Sequence, residues 1–391
     1  MGLINRNMGL INRRSFSDLR GAVRLAVDAT VGVTDVVEKM HHTIQLGHLP
    51  LGASRADNTS GLTGFVYRSI RGTTRLVGKG LDAGMAPVTE LLPEETTTTT
   101  RDAFVSAING LYGDHLVETD NPLAIDMELR VEEQSVNSER SPLAATGKVL
   151  LFVHGLCLND EHWIRDGHNH GLALATDLGY TPLYLRYNTG LPIAENGRAL
   201  AEMLESALRD WPQQPSELVI VGHSMGGLVA RSACHHGSLA GHDWLQHLNK
   251  LVSMGTPHHG APLERGGNWL EYAMDFSPYA APFTRISTKR SAGITDLRHG
   301  SITDTMQDFV PLPEAIECYA MAATLGKKET QMGGKLIGDG LVPLDSALGR
   351  HRDPSRTLLF PQDHQWIGFE TGHLKLLGDP GVYTQLRNWL E

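Results

Sequence analysis

The chain has 391 residues, of which 41% are hydrophobic and 20% are charged, a mix typical of globular proteins that excludes global disorder and collagen-like repeats. Its formal net charge of −10 argues against general nucleic-acid affinity, because that affinity needs a basic surface. The length exceeds the ~250–300 residues at which single cores stop growing, which favours a catalytic domain with an accessory segment.

The N-terminal sequence MGLINRNMGLINRR contains the hexapeptide MGLINR twice. It has no apolar block of signal-peptide length, and Arg6 stands where an N-myristoylation signal needs Ser or Thr. No run of ~18 apolar residues occurs anywhere in the sequence, so no membrane-spanning helix is expected. We therefore predict a cytoplasmic protein.

Residues 1–100 are predicted to form an N-terminal helical region. Apolar residues recur every three or four positions from Leu19 to Ile44 and again from Leu62 to Val88, as one face of a helix requires. Glycines in the second segment would let two helices approach closely. We expect a helical hairpin that covers part of the core or mediates self-association. Four arginines beside its apolar face permit peripheral contact with an anionic membrane surface: Arg13, Arg14, Arg20 and Arg24.

Residues 101–147 are predicted to connect this region to a second domain. Five threonines from Thr96 to Thr100 indicate a linker, and a short helix is expected from Arg101 to Leu111. Apolar and charged residues then alternate from Ile125 to Val131, which predicts a half-exposed strand or a hairpin.

Residues 148–391 are predicted to form an α/β domain with a mostly parallel sheet. Aliphatic strands at KVLLFVHG, Thr181–Tyr187, ELVIVGHS, KLVSMGTP, AIECYAMAAT and TLLF alternate with helix patterns at residues 197–211, 225–236 and 380–390. Strands buried on both faces and separated by helices indicate a parallel sheet. An aromatic-rich insertion at 261–311 is expected to form a cap over a pocket, or a helical pair that only packs.

The stretch Gly222-His223-Ser224-Met225-Gly226 matches the pattern G-x-S-x-G at a predicted strand-to-helix corner. Glycines on both sides remove Cβ atoms that would collide with a sharp turn. We therefore predict that Ser224 is a nucleophile with an exposed hydroxyl at the amino end of a helix, where the helix dipole favours the negative charge of a tetrahedral intermediate. A glycine-rich turn without chemistry is the alternative interpretation.

A serine nucleophile also needs an oxyanion hole. In this architecture one N–H comes from the residue after the nucleophile, and another from the loop after an earlier strand. The sequence therefore predicts the backbone N–H groups of Met225 and Leu156 as the oxyanion donors. Gly155 would let a substrate carbonyl approach the backbone, although His154-Gly155 could also be an ordinary strand-ending turn.

The chain order of nucleophile, acid and histidine requires a carboxylate downstream of Ser224. Asp339 lies in Gly338-Asp339-Gly340-Leu341-Val342-Pro343, where flanking glycines suggest a tight turn that aims the side chain. We predict Asp339 as the acid, with Asp345 as the nearest alternative. The non-catalytic alternative is that Asp339 belongs to an ordinary Asp-Gly turn at the surface.

The base must then follow Asp339, and His351, His364 and His373 are available. His373 is favoured because it precedes the terminal helix, where a loop can return over the sheet and Gly372 gives that loop freedom. His364, placed nearer the last predicted strand, is the alternative.

The motifs VHGL, GHSMGG, SMGTPHHGAP, GDGLVP and GHLKLLGDP, in this order from Lys148 onward, resemble those of the α/β-hydrolase superfamily, specifically bacterial lipase-like and GPI inositol-deacylase-like serine esterases. The resemblance implies an α/β-hydrolase fold with Ser224 as nucleophile, Asp339 as acid and His373 as base. It also implies oxyanion donors at Leu156 and Met225. It strengthens His373 over His364, because a Gly/Asp-His-Leu motif before the last helix carries the base in such proteins.

The expected activity is hydrolysis of carboxylic esters with lipid-like or medium-chain acyl groups through an acyl-enzyme. The alternatives are a transacylase with the same triad and a non-catalytic interaction protein on a hydrolase scaffold. The expected partner is a small-molecule acyl ester, and no cofactor is expected. No metal site is predicted either, because the histidines lack spacings such as H-E-x-x-H. His258 and His259 either touch substrate or belong to a structural loop.

The three cysteines, Cys157, Cys234 and Cys318, lie in apolar surroundings without CxxC spacing. This pattern predicts buried thiols in a reducing compartment.

Overall fold

The computed structural model describes residues 13–46, 61–91, 99–131, 134–135, 145–261, 291–305, 309–327 and 338–391. The described residues divide into two compact units. The first contains two N-terminal helices and Leu116–Ala124, and the second contains the other described residues. The predicted connecting segment 101–147 is thus shared between the units.

The first unit is built on helices α1 (Arg13–Leu46) and α2 (Gly61–Leu91), which pack against each other. Both helices run through the predicted apolar patterns without interruption. Gly78 is the position where the expected close approach occurs, because a Cβ there would lie 2.8 Å from Val27 Cγ2. A Cβ at Gly72 or Gly80, by contrast, would meet no atom of the described residues within 4 Å.

Ion pairs join the two helices. Arg20 Nε and Arg24 Nε donate to the same carboxylate oxygen, Asp82 Oδ1, at 2.5 and 2.6 Å. The two guanidinium groups hold the pKa of Asp82 well below its usual range. Two of the four arginines considered for membrane contact are therefore engaged inside the unit, and the side chains of Arg13 and Arg14 lie outside the described residues.

Helix α3 (Thr99–Glu118) is longer than the predicted helix at 101–111. A glycine in its last two turns permits tight packing, since a Cβ at Gly113 would lie 1.8 Å from Asn188 Oδ1. The sequence pattern alone gave no sign of this contact, because Gly110 and Gly113 look like helix-ending residues.

The second unit contains an eight-stranded sheet in the order β10-β9-β8-β7-β3-β6-β1-β2, and a separate two-stranded ribbon β4-β5. Strands β3 and β6 to β10 run parallel, whereas β1 and β2 are antiparallel at one edge. The strands are β1 (Glu128–Val131), β2 (Gln134–Ser135), β3 (Lys148–Val153), β4 (Ile164–Arg165), β5 (His168–Asn169), β6 (Thr181–Arg186), β7 (Glu217–His223), β8 (Leu248–Met254), β9 (Glu317–Thr324) and β10 (Gln365–Phe369).

Helices separate the parallel strands along the chain, as the sequence pattern predicts. They are α4 (His170–Leu178), α5 (Ile193–Arg209), α6 (Met225–Ala240), α7 (Ala292–His299), α8 (Leu344–Ala347) and α9 (Pro380–Leu390). The aliphatic runs Val149–Val153 and Leu218–Val221 are wholly buried, as central parallel strands require. This arrangement is the α/β-hydrolase fold, which confirms the predicted fold class.

The chain reverses its direction of strand addition around β3. From β3 it crosses to β6 on one side and then returns to β7 on the other, so β3 and β7 are neighbours with Val153 opposite Gly222. Ligand sites of open α/β sheets form outside the carboxyl ends of the strands at such a switch point. The loops that follow β3 and β7 therefore meet where the sequence predicts the site.

One predicted strand is wrong. Residues 357–360 (TLLF) form no strand, and Leu358 N–H instead bonds the nearby Gly349 carbonyl at 2.8 Å. The last strand is β10, which pairs in parallel with β9. The apolar run misled the prediction, because Leu358 and Phe360 are buried, as in a half-exposed strand, although the segment pairs with no described strand.

No helix within the described ranges is long and apolar enough to cross a membrane. Of the expected cap insertion at 261–311, residues 262–290 and 306–308 lie outside the described residues, and α7 belongs to the rest.

Candidate active site

Ser224 occupies the corner between β7 and α6 with a backbone conformation that L-residues rarely adopt, φ 55° and ψ −122°. The turn is tight on both sides. A Cβ at Gly222 would lie 2.5 Å from Gly227 Cα, and one at Gly226 would lie 2.1 Å from the carbonyl oxygen of Val153. The glycines of the G-x-S-x-G pattern are thus required by packing, and they hold the serine in a strained turn.

The hydroxyl of Ser224 is enclosed, which corrects the prediction that it is exposed. The residue has no solvent-accessible surface, and its Oγ has no hydrogen-bond partner among the described residues. The loop after β3 closes on it, since a Cβ at Gly155 would lie 3.0 Å from Ser224 Cβ. A buried hydroxyl without a partner is uncommon in proteins and calls for an explanation.

The two predicted oxyanion donors lie on the loops that flank Ser224. Met225 is the first residue of α6, so its N–H is among those without an acceptor inside the helix. Leu156 follows Gly155 in the loop after β3. The next residue, Cys157, has φ 61°, and its N–H donates to Thr189 Oγ1 at 3.1 Å, which fixes the turn immediately after Leu156.

Asp339 and His373 form a buried hydrogen-bonded pair. His373 Nδ1 lies 2.6 Å from Asp339 Oδ2, and both side chains are almost completely buried. The other carboxylate oxygen, Oδ1, accepts from the backbone N–H groups of Leu341 and Val342 at 3.0 and 2.8 Å. Because Nδ1–H donates to the carboxylate, the lone pair of the ring is on Nε2, the nitrogen that a general base uses.

The two members of this pair are presented by different backbone conformations. Gly340 has φ 102°, a value that favours glycine, and the turn brings Asp339 back toward the sheet. Gly372, in contrast, has φ −86° in extended backbone and no close neighbours, so the freedom that we expected of it is not used.

His373, which follows β10, packs against the loop after β8 and beside the nucleophile strand. A Cβ at Gly255, the residue after β8, would lie 3.2 Å from His373 Cε1. The His373 ring also lies 4.7 Å, between centroids, from the ring of His223, the residue before Ser224. The structure therefore brings the predicted base beside the elbow that carries the predicted nucleophile.

The alternative histidines lie elsewhere. His364 directly precedes β10, at the amino end of that parallel strand, where its Nδ1 lies 3.1 Å from the Cys318 carbonyl oxygen. Ser224 and His373 follow the carboxyl ends of their strands. His351 lies in the loop after α8 and contacts the backbone of Asp353. Asp345, the alternative acid, is largely exposed and 3.9 Å from Arg350.

His223 is a site residue that sequence reasoning missed. Its Nε2 lies 3.2 Å from the carbonyl oxygen of His373, so Nε2–H donates and Nδ1 carries the lone pair. Burial and the neighbouring His373 hold the pKa of His223 well below its usual value, so the ring is neutral. The variable position of G-x-S-x-G gave only a weak signal, because many residue types occupy it.

A second missed feature supports the loop that carries Leu156. Asp160 accepts from Arg130 Nη1 at 2.8 Å and from Arg186 Nε at 2.7 Å, while Arg186 Nη2 donates to Asp102 at 2.9 Å. These buried ion pairs join the loop after β3 to β1, β6 and α3. The carboxylates crowd Glu161, and burial together with them raises its pKa to about 6.

His258 and His259 belong to a packed loop. His258 Nδ1 accepts from Arg231 Nη1 at 3.3 Å, and burial lowers its pKa well below the usual value. His259 Nε2 lies 2.9 Å from the Gly349 carbonyl oxygen, and its backbone N–H donates to Ser346 Oγ. Of the two interpretations, these contacts favour the structural one.

A cavity of about 610 Å³ lies beside β1, β6 and α5, and none of the predicted site residues lines it. Within the described ranges, no group of three or more His, Cys, Asp or Glu side chains is arranged to hold a metal ion.

Comparison with known protein families finds one match, to the middle of the chain. Residues 144–321 match the model of the PGAP1-like alpha/beta domain, a segment that contains Leu156, Ser224 and Met225 and ends before Asp339 and His373. No curated protein matches the sequence.

Several solved structures are similar to the chain. They include the mature form of Bacillus licheniformis lipase BlEst2, with 19% identity, a TM-score of 0.42, and coverage of 68% of this chain and 98% of that one. A lipase-esterase related protein from Clostridium acetobutylicum has 15% identity, a TM-score of 0.36, and coverage of 62% and 94%. Pyrococcus furiosus esterase Pf2001 has 11% identity, a TM-score of 0.39, and coverage of 63% and 83%.

Likenesses of this size assign no substrate to the chain. The described geometry itself has a sheet with a topological switch at β3 and a serine at the corner after β7. Residues 144–321 of the chain thus match the PGAP1-like alpha/beta domain, on an α/β-hydrolase fold.

Proposed function

We propose that the protein is a serine hydrolase that cleaves carboxylic esters through an acyl-enzyme. The observation that carries the proposal is the buried Asp339–His373 pair, held against His223 and next to the strained Ser224 elbow. Asp, His and Ser in these roles form the usual machinery of acyl transfer, and it is recognised by geometry rather than by spacing in the sequence.

In the proposed reaction Ser224 Oγ attacks the ester carbonyl while His373 Nε2 takes its proton. The C–O bond of the tetrahedral intermediate breaks, and the imidazolium returns the proton to the leaving alcohol. Asp339 keeps the Nδ1–H tautomer and stabilises the positive ring. Water then attacks the acyl-enzyme by the same route, and the acid is released.

The backbone N–H groups of Leu156 and Met225 are proposed to hold the negative oxygen of both intermediates. Their loops are pre-ordered, because the buried ion pairs of Asp160 support one and α6 supports the other. Donors that need no reorganisation in a dry site contribute most to stabilising such an oxygen, and one donor is worth roughly 10²–10³ in rate.

The acyl group is proposed to be lipid-like or medium-chain. Leu325 supports this proposal, because its Cδ atoms lie 3.7 Å from the Cβ positions that Gly340 and Gly372 would carry. More than half of this leucine is exposed. An apolar side chain therefore stands at the rim of the two loops that present Asp339 and His373.

The enclosure of Ser224 favours a second candidate, a non-catalytic protein that retains the hydrolase scaffold. Reaction with an alkyl fluorophosphonate separates the two, because the probe must reach Oγ and needs the activated serine. We expect covalent labelling of the wild type, loss of labelling in Ser224→Ala, and unchanged labelling in Ser238→Ala, an exposed serine near the end of the same helix.

Turnover of p-nitrophenyl esters of graded chain length then tests the substrate class, with an optimum expected above acetate. A wild-type protein that neither labels nor hydrolyses any activated ester would overturn the proposal. Release of a new ester when an alcohol is added would instead assign the transacylase reaction.

A further inference from the structure

Helix α2 exposes large apolar side chains along the part of its length where side chains are described, residues 63–83. Phe65, Leu76 and Val77 are 61, 72 and 54% exposed. Folded proteins rarely expose contiguous apolar surface unless it meets a partner or a membrane. The other exposed apolar residues of the helix are Val66, Ile70 and Leu81.

These residues repeat at a fixed interval. Phe65 and Leu76, Val66 and Val77, and Ile70 and Leu81 are each eleven positions apart. Eleven residues make about three turns of an α-helix, so the members of each pair project in nearly the same direction. The exposed surface is thus two copies of one pattern, about 24 Å long from Phe65 to Leu81 at ~1.5 Å per residue.

Positive charge lies beside this surface. Arg68, Arg75 and Lys79 are exposed and fall within about 40° of one another around the helix axis. Arg68 and Lys79 are also eleven residues apart. No ion pair involving these three cations is seen among the described residues, whereas the one acid at 63–83, Asp82, is engaged by Arg20 and Arg24.

We propose that this face of α2, from Phe65 to Leu81, lies flat on an anionic lipid surface. An amphipathic helix with basic residues beside an apolar face binds in the plane of the membrane interface. Each lysine or arginine near an anionic leaflet strengthens binding about fivefold. The membrane contact expected from the sequence thus moves from the arginines of α1 to those of α2.

A second copy of the chain is a poorer occupant. The exposed face carries no acid among its described side chains to meet the three cations of a partner. Gly72 and Gly80 leave gaps in the face, where a Cβ added to either glycine would have no atom of the described part of the chain within 4 Å. Lipid chains fill such irregular gaps, whereas a protein partner needs a complementary shape.

The test is flotation of the full chain with vesicles of phosphatidylcholine alone or mixed with phosphatidylglycerol. We expect binding to the mixed vesicles, weakened by salt and absent with phosphatidylcholine alone. Arg68→Gln, Arg75→Gln and Lys79→Gln together are expected to lower the partition coefficient about 100-fold, from about fivefold per cation. Phe65→Ser with Leu76→Ser is expected to lower it at least about tenfold.

Matched controls lie in the second unit. Leu239→Ser changes a leucine of α6 that is 73% exposed, and it is expected to float like the wild type. Arg209→Gln with Arg352→Gln controls for loss of exposed positive charge. Ser224→Ala is also expected to float like the wild type. Flotation therefore tests membrane binding independently of the proposed catalytic activity. Helical circular dichroism of each variant must equal that of the wild type.

Equal flotation of the α2 variants and the wild type would overturn the proposal, as would a wild type that binds neither vesicle. A wild type that ignores vesicles but elutes as an oligomer, and becomes monomeric with Phe65→Ser and Leu76→Ser, would assign the face to self-association instead.

Discussion

His373 is bound to Asp339 twice. Its ring Nδ1 lies 2.6 Å from Asp339 Oδ2, and its backbone N–H donates to the backbone carbonyl of Asp339 at 3.2 Å. The loops that carry Asp339 and His373 are therefore joined by a backbone hydrogen bond as well as by the side-chain pair.

This double attachment separates the chemical role of the carboxylate from the position of the loop. Asp339→Asn keeps the backbone bond but removes the charge that holds the Nδ1–H tautomer, so we expect kcat for a p-nitrophenyl ester to fall about 10⁴-fold. Melting temperature should change little. Asp345→Asn, at the exposed carboxylate nearby, should keep full activity; comparable losses in the two variants would argue against Asp339 as the acid.

Glycine at the nucleophile position should raise stability while it abolishes activity. Ser224 has φ 55°, and strain of this kind costs on the order of 1–3 kcal/mol in a residue with a Cβ. Ser224→Gly relieves that strain, whereas Ser224→Ala retains it. Urea unfolding of the two inactive variants measures the difference directly, and a Ser224→Gly protein no more stable than Ser224→Ala would show that the turn is unstrained.

Two glycines near the site should respond differently to a methyl group. A Cβ at Gly155 would press on Ser224 Cβ at 3.0 Å and on His223 Nδ1 at 3.2 Å, so Gly155→Ala should displace the proposed oxyanion loop. We expect kcat to fall by roughly 10²–10³, the value of one lost oxyanion donor. Gly372→Ala adds its methyl 3.7 Å from the nearest side chain and should be silent. Equal effects would mean that the loop after β3 plays no part.

His223 is expected to act as a positioning residue, through the bond from its Nε2–H to the His373 carbonyl at 3.2 Å. His223→Phe keeps the ring volume and loses this bond. We expect kcat to fall about fivefold, consistent with a neutral hydrogen bond worth about 1 kcal/mol, with KM nearly unchanged. His258→Phe is the control, because it removes another buried imidazole that is hydrogen-bonded to Arg231 and not to His373. A rise in KM without a fall in kcat would place His223 in substrate binding.

Buried neutral histidines should make the fold acid-sensitive. Burial lowers the pKa of His154 to about 3, and of His162 and His170 to about 4. The unfolded chain takes up protons at ~6.5 while these rings do not, so stability is fully present above that pH and falls as the pH drops toward 4. Each such histidine lowers the free energy of unfolding by up to about 1.4 kcal/mol for each pH unit of this drop.

Substitution of His170 measures the contribution of one buried histidine to the pH dependence of stability. Its Nε2 lies 3.0 Å from the Leu376 carbonyl oxygen, a bond that glutamine can imitate. His170→Gln should be less stable than the wild type at neutral pH, yet it should lose on the order of 3 kcal/mol less between ~pH 6.5 and ~pH 4. Urea midpoints across this range give both slopes, and parallel slopes would contradict the assignment of a neutral buried ring.

The fold class could be predicted from the sequence, because aliphatic strands that are buried on both faces leave a clear pattern. The G-x-S-x-G motif could be recognised because its glycines are required by packing: a Cβ at either one would lie 2.1–2.5 Å from backbone atoms. The sequence did not predict the enclosure of Ser224, since closeness of the loop after β3 depends on packing between distant segments. It also misplaced the last strand, because the apolar run at residues 357–360 packs into the core without pairing with another strand that the structure describes. His223 and Asp160 were missed because their partners lie far away in the sequence.

All three native thiols are inaccessible: Cys157, Cys234 and Cys318 are buried, and burial raises the pKa of Cys157 and Cys318 to about 12. Alkylating reagents react with exposed thiolates, so the folded chain offers them no good target. A cysteine introduced at Leu76 would then be the one reactive thiol under native conditions. A polarity-sensitive dye attached there would report on the α2 face alone, without first removing any natural cysteine.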